Sequence, residues 1–212
     1  MRTEIIEVSP DDPSLESLEK AAAAVRAGKV VAVPTDTLYV LIADPLSLNA
    51  IATVFRAKGR EMHRGLPILV DSVTMAEEFA KQPLSARFYL LARRFWPGPL
   101  TIIVPAANLL PLKVTGNTGR LAVRQSAAPI PAKLLELIGS PVIATSANQS
   151  GKPSCRSGIE VFGTMDGRVD LILDAGLVSG SAATTVDVTE PEWNLIREGA
   201  VPRDQIEDCL KP

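Results

Sequence analysis

The chain has 212 residues, 46% of them hydrophobic and 22% charged, with a formal net charge of −2. That length and apolar content suffice for one well-packed core and lie far from the composition of a disordered chain. The near-neutral balance excludes a globally basic surface that grips nucleic acid regardless of sequence, while leaving room for a local basic patch.

At the amino terminus, "MRTEIIEVSPDD" lacks the apolar stretch of a signal peptide, and no window approaches the roughly 20 apolar residues that span a bilayer. A cytoplasmic protein with no membrane contact, folded as a single domain over residues 1–212, is expected. In "DDPSLESLEKAAAAVRAGK", Asp12 can cap a helix with Pro13 in its first turn, burying Leu15, Leu18, Ala22 and Val25, and Gly28 stops it. Residues 29–33 read as a strand buried on both sides, and 47–57 as a helix burying Ile51, Val54 and Phe55. Further strands are expected at 66–70, 100–105, 120–124, 141–146, 169–173, 185–188 and 194–197. Helices are expected at 74–80, 85–95, 130–138 and 204–210, with "WPGP" ending the second and Gly139 the third. Interleaved strands and helices predict an α/β fold with a mixed sheet, whose ligands sit beside strand exits.

Three exits carry polar side chains. "PTDTLY" offers Thr35, Asp36 and Thr37 after a strand, suited to orienting a small polar ligand, or simply a Pro-led turn bonding its own backbone. Tyr39 can equally pack in the core with its hydroxyl satisfied. "FRAKGREMHRG" places Arg56, Lys58, Arg60 and Arg64 together, either a solvated helix end or a phosphate grip. "IATSANQSGKPS" follows an apolar strand with Thr145, Ser146, Asn148 and Ser150, and Gly151 lets the backbone approach a ligand. Arg124 and Arg197 each end a strand and can add charge to the same cavity.

Other chemistries drop out. His63 is the sole histidine and Cys155 and Cys209 form no CxxC pair, so no disulfide framework and no protein metal site is expected. Neither GxxxxGK[ST] nor GxGxxG occurs, so a nucleotide must be held without either fingerprint.

Taken in order, "VVAVPTDTLY", "AKGR", "LPILV", "WPGPLT", "LAVR", "TSANQSG" and "IREGAV" resemble the YrdC-like family, the threonylcarbamoyl-AMP synthases, over roughly residues 15–201. The resemblance implies a YrdC-like twisted mixed sheet flanked by helices, enclosing a large positively charged cavity. It also implies a reaction of L-threonine, bicarbonate and ATP that gives threonylcarbamoyl-AMP and pyrophosphate. A downstream tRNA-modifying transferase complex would then use the product on adenosine 37 of tRNA, with weak direct RNA contact as a further expectation. By that resemblance Thr35, Arg124 and Thr184 would bind substrate, and Lys58, Arg60, Ser146, Asn148 and Arg197 would bind ATP. Mg²⁺ would bridge the phosphates with few protein ligands; no covalent nucleophile is implied.

The chain also departs from the family's pattern. Val40 stands where Tyr-Gly-Leu is usual, and "RQSAAP" puts Ser126 and Ala128 in place of Pro and His. Ala183 with Thr184 replaces a Ser-Thr pair, and Asp71 stands where many relatives have histidine. Valine at 40 either fills space or forbids the positive φ that glycine allows. These losses keep a diverged YciO-like paralogue, binding RNA or nucleotide without synthase activity, as the alternative. A carbamoyl-adenylate domain like that of hydrogenase maturation factors is a weaker one.

Overall fold

The computed structural model describes residues 2–61 and 63–211; Met62 of the basic stretch, and Met1 and Pro212 of the expected domain, lie outside them. In chain order the described residues form β1 (Glu4–Glu7), α1 (Leu15–Arg26), β2 (Val31–Val33), β3 (Val40–Ala43), α2 (Leu48–Lys58), β4 (Ile68–Leu69), α3 (Val73–Phe79), α4 (Ala86–Phe95), β5 (Leu100–Pro105), α5 (Leu112–Thr115), β6 (Arg120–Arg124), α6 (Pro129–Ile138), β7 (Val142–Ser146), α7 (Gly158–Met165), β8 (Leu171–Asp174), β9 (Thr184–Asp187), β10 (Asn194–Arg197) and α8 (Arg203–Leu210).

The strands join in one ten-stranded mixed sheet, ordered β1-β8-β2-β3-β7-β4-β6-β5-β9-β10. The pairs β1–β8, β2–β8, β4–β6 and β5–β9 run parallel and the others antiparallel. The expected α/β class with a helix-flanked mixed sheet is what the chain forms. Among the described residues no helix is long and apolar enough to cross a membrane.

Strand pleating divides the core into two. On one face Val31, Val33, Ile42, Leu171 and Leu173 meet Leu18, Ala22 and Val25 of α1 and Leu134 of α6, with the two helices packed on each other. On the other, Leu41, Val123, Ile102 and Ile143 meet Val54 and Phe55 of α2, Phe88 and Leu91 of α4, and Val161 of α7. α1 packs on β8 and β2 of that face, and a cavity opens farther along it.

Four elements differ from the sequence expectation by being present at all. β1 is a two-residue apolar pair between glutamates at the sheet edge, α5 is a single turn, and α7 begins on glycine and contains another. β3, "VLIA", completes a hairpin with β2 in which Val33 pairs Val40, so the polar loop between them is a turn. At α1 the cap is Ser14, whose Oγ accepts from the Ser17 N–H, and this displaces the start past Asp12 and Pro13 and leaves Leu15 61% exposed. Gly28, at φ 75°, ends the helix.

Candidate functional site

A cavity of about 260 Å³ opens farther along the α1–α6 face, with strands β3, β7, β4, β6, β5 and β9 as its floor. Because successive strand side chains alternate faces, Val40, Ala144, Ser146, Leu69, Ala122, Arg124, Thr101 and Thr185 all reach it. Ala122 and Ala144 are small enough to leave the space empty. Arg60, Arg64, Arg124 and Arg197 line it, and among the described residues no carboxylate does.

Arg124 is the buried anchor of this surface, 6% exposed. Its Nε donates to the Gly98 carbonyl at 3.0 Å, Nη1 to Thr37 Oγ1 at 2.8 Å and Nη2 to Asp36 Oδ1 at 2.6 Å. The same Oδ1 accepts from Ser126 Oγ and, at 3.2 Å, from the Ala127 N–H. "WPGPLT" is thereby explained: its turn offers a carbonyl that fixes the guanidinium. Burial lowers the pKa of Arg124, Asp36 counteracts this, and the nearby charge of Arg197 adds to the lowering.

The "PTDT" loop serves both readings left open for it. Thr35 Oγ1 donates to the Leu38 carbonyl at 2.7 Å and accepts from the N–H groups of Thr37 and Leu38, so its hydroxyl is committed to its own turn. Thr37 Oγ1, 2.9 Å from Thr35 Oγ1, receives Arg124. Both threonines line the cavity, yet the residue that addresses its cation is Thr37. Tyr39 is fully buried, donating to the Gly176 carbonyl at 2.9 Å and accepting from the Ala175 N–H at 2.9 Å. Burial raises its pKa above the ordinary phenol value.

Lys58 and Asn148 are not among the lining residues. Lys58, 3% exposed, donates Nζ to the carbonyls of Ser146 at 2.5 Å and Asn148 at 2.8 Å, and its own carbonyl accepts from the Ser150 N–H. Asn148 Nδ2 donates to the Lys152 carbonyl at 2.6 Å. The lysine thus ties down the β7 exit loop while Ser146 faces the cavity. Burial, and secondarily Arg60, lowers the Lys58 pKa to about 8. Arg60 donates to the Gly65 carbonyl at 2.6 Å, and burial lowers its pKa as well. His63 lies 3.5 Å from Glu61, both exposed.

Thr184 points the other way from the cavity. Fully buried, it donates to the Val201 carbonyl at 2.6 Å and accepts from the N–H groups of Gly199 and Val201. Its neighbour Thr185 takes the cavity face, the alternation that a one-residue step in a strand enforces. Arg197 donates Nε and Nη2 to the Ala183 carbonyl at 3.1 and 2.8 Å, so backbone rather than a residue-183 hydroxyl holds it. Thr37 and Arg64, raised as candidates in the first exit and the basic stretch, line the cavity, and Thr101, Ser154 and Thr185 do so unanticipated. For Thr101 and Thr185 the available signal was strand alternation counted from Arg124 and Ala183.

Of the departures, Val40 is extended within β3, where no positive φ arises, and its side chain occupies cavity wall opposite Ser146. It fills space. Ser126 secures Asp36, Ala128 is an N-cap without a side-chain bond, and Asp71 accepts from its neighbour Ser72.

A family model named for Sua5, YciO and YrdC, described as telomere recombination, matches residues 23–199. A threonylcarbamoyl-AMP synthase of Pyrococcus abyssi is 41% identical over 191 residues, 90% of this chain and 56% of the relative. One from Bacillus subtilis is 33% identical over 97% of this chain and 59% of the relative. One from Pseudomonas fluorescens is 34% identical over 76% of this chain and 85% of its own length. The crystal structure of P. abyssi Sua5 complexed with L-threonine superposes with a TM-score of 0.94 at 39% identity, covering 98% of this chain and 61% of that one. E. coli YciO shares the fold, with a TM-score of 0.87 at 23% identity, over 94% of this chain and 97% of that one. The chain therefore spans somewhat over half the length of the P. abyssi and B. subtilis relatives.

Proposed function

The chain belongs to the Sua5/YciO/YrdC family, and we propose that it is a threonylcarbamoyl-AMP synthase, acting on L-threonine, bicarbonate and ATP as a single domain in the cytoplasm. The observation that carries this reading is the cavity lined by four arginines and, among the described residues, no carboxylate, on a fold shared with a relative that binds L-threonine.

The chemistry asks for alignment and charge neutralisation. Threonine's amine and bicarbonate condense to a carbamate with loss of water. A carbamate oxygen then attacks the α-phosphorus, and the bond to the β-phosphate oxygen breaks to release pyrophosphate. The threonine carbamate and ATP are both anions, and the four lining arginines supply positive charge where they would meet. Arg124, locked by Asp36, Thr37 and Gly98, receives the amino-acid carboxylate; Arg60, Arg64 and Arg197, with Ser146, take the phosphates. Thr35 serves as wall and turn, Lys58 and Asn148 as the frame that presents Ser146, and Thr184 as the packing that turns Thr185 inward.

Magnesium enters this reading on the nucleotide. Among the described residues the lining offers hydroxyls and no carboxylate, and no group of three or more His, Cys, Asp or Glu that could hold an ion occurs. The threonylcarbamoyl group then passes to a tRNA-modifying transferase complex, with any direct RNA contact weak. Incubation with ATP, Mg²⁺ and bicarbonate should release pyrophosphate only when L-threonine is added. Release that ignores threonine, or none at all, refutes the assignment.

A further inference from the structure

A straight row of side chains crosses the cavity floor perpendicular to the strands. Leu69 pairs Arg124 across β4 and β6, and the Ile102–Val123 pairing sets Thr101 beside Arg124 across β5 and β6. Thr101 pairs Thr185 across β5 and β9, and Thr185 pairs Arg197 across β9 and β10. All five line the cavity. The order from Arg124 is therefore guanidinium, hydroxyl, hydroxyl, guanidinium, each on its own strand.

The hydroxyls of Thr35, Thr37 and Thr184 are committed to protein partners, whereas Thr101 and Thr185, like Thr145 and Ser154 of the same lining, make no side-chain hydrogen bond among the described residues; what sets Thr101 and Thr185 apart is that they are paired across β5 and β9 between the two arginines. Thr101 is only 7% exposed, so its hydroxyl has the cavity as its remaining outlet. A hydroxyl that opens onto a cavity without a protein partner is available to hydrogen-bond what the cavity holds.

Three strand spacings separate the backbones of Arg124 and Arg197 by about 14 Å, and both side chains line the same cavity as the threonines between them. Asp36 and the Ala183 carbonyl hold the two guanidinium groups while leaving further N–H donors unused.

We propose that Thr101 and Thr185 form an oxyanion-binding pair, each donating its hydroxyl proton to an anionic oxygen of a carboxylate or phosphate clamped between Arg124 and Arg197. This deepens the synthase reading and rests on it: the anion is the carboxylate of the amino acid or a phosphate of the nucleotide.

The test is calorimetric titration of wild type, Thr101→Val and Thr185→Val with L-threonine, ATP and inorganic pyrophosphate as separate probes. Valine keeps the branched shape and removes the donor, and loss of a hydrogen bond to a charged acceptor should weaken binding about tenfold or more. Thr101→Ser and Thr185→Ser should keep wild-type affinity. Should either valine variant fold poorly, alanine at that position removes the same donor. A loss confined to threonine assigns the row to the carboxylate, and one confined to ATP and pyrophosphate assigns it to phosphate. Variants that bind all three probes like wild type overturn the proposal. Threonine-dependent pyrophosphate release with unaffected variants leaves the synthase reading standing and removes the row. Pyrophosphate binding lost in the variants, without threonine-dependent release in wild type, removes the synthase reading and keeps the anion site. A wild type that binds none of the probes removes both.

Discussion

Lys58 meets two carbonyls with its ammonium at 2.5 and 2.8 Å, in a setting that lowers its pKa from 10.5 to about 8. In the unfolded chain the amine keeps its proton up to about pH 10.5, so between those values the unfolded state binds more protons than the folded one. Stability therefore gains from this residue as pH rises from about 8 toward 10.5, and nothing changes below 8, where both states are charged. Denaturant titrations of wild type and Lys58→Met from pH 7 to 10 should diverge above pH 8, wild type gaining at most about 1.4 kcal/mol per pH unit over the variant. Curves that stay parallel would show that the amine keeps its proton in the fold. The cationic cluster was legible in sequence because Lys and Arg within a few residues are conspicuous; that Arg60 and Arg64 reach the cavity and Lys58 the loop is a matter of helix phase and burial. Thr184 and Thr185 differ likewise only in pleat direction, which the residue types cannot report.

At the scale of elements, the cavity rim is shaped by close backbone approaches. A Cβ on Gly180 would lie 2.3 Å from the Asp36 carbonyl oxygen and 2.7 Å from Thr37 Cα, so the segment before β9 rests directly on the β2–β3 loop. Gly180→Ala must push these two loops apart, an overpacking that costs about 1–3 kcal/mol. It moves Asp36 away from Arg124, so the melting temperature should fall and threonine affinity should drop with it; an unchanged melting temperature would mean the contact is slack. The longer strands were readable, and β5, β6 and β10 fall where "LTIIVP", "RLAVR" and "NLIR" place them. β3 was not, because its apolar run acquires meaning only from pairing with β2 and β7 on either side. α7 escaped notice because glycines at 158 and 163 oppose local helix propensity, and Ser157 capping with burial of Val161 and Met165 overrides it.

Across the whole molecule, six floor strands from distant parts of the chain converge on one cavity, so a ligand there bridges the β2–β3 loop, the sheet and β10 at once. Binding to the folded state alone stabilises it by mass action, about 2.7 kcal/mol at a hundred times the dissociation constant. Under the synthase reading, L-threonine and ATP should each raise the melting temperature with concentration, and Arg124→Lys should abolish the threonine response, because lysine lacks the fork that meets Asp36 and Thr37 together. The architecture was foreseeable from interleaved periodicities; the site's position required knowing where on its face α1 packs. The floor carries a further consequence. Its lining side chains stand on strands whose ladder bonds are made by the backbone, so an exchange such as glycine to valine at position 40 can alter what the cavity accepts without disturbing how the chain folds. Descendants of one ancestral sheet can therefore diverge in ligand preference one residue at a time, each intermediate remaining a folded protein.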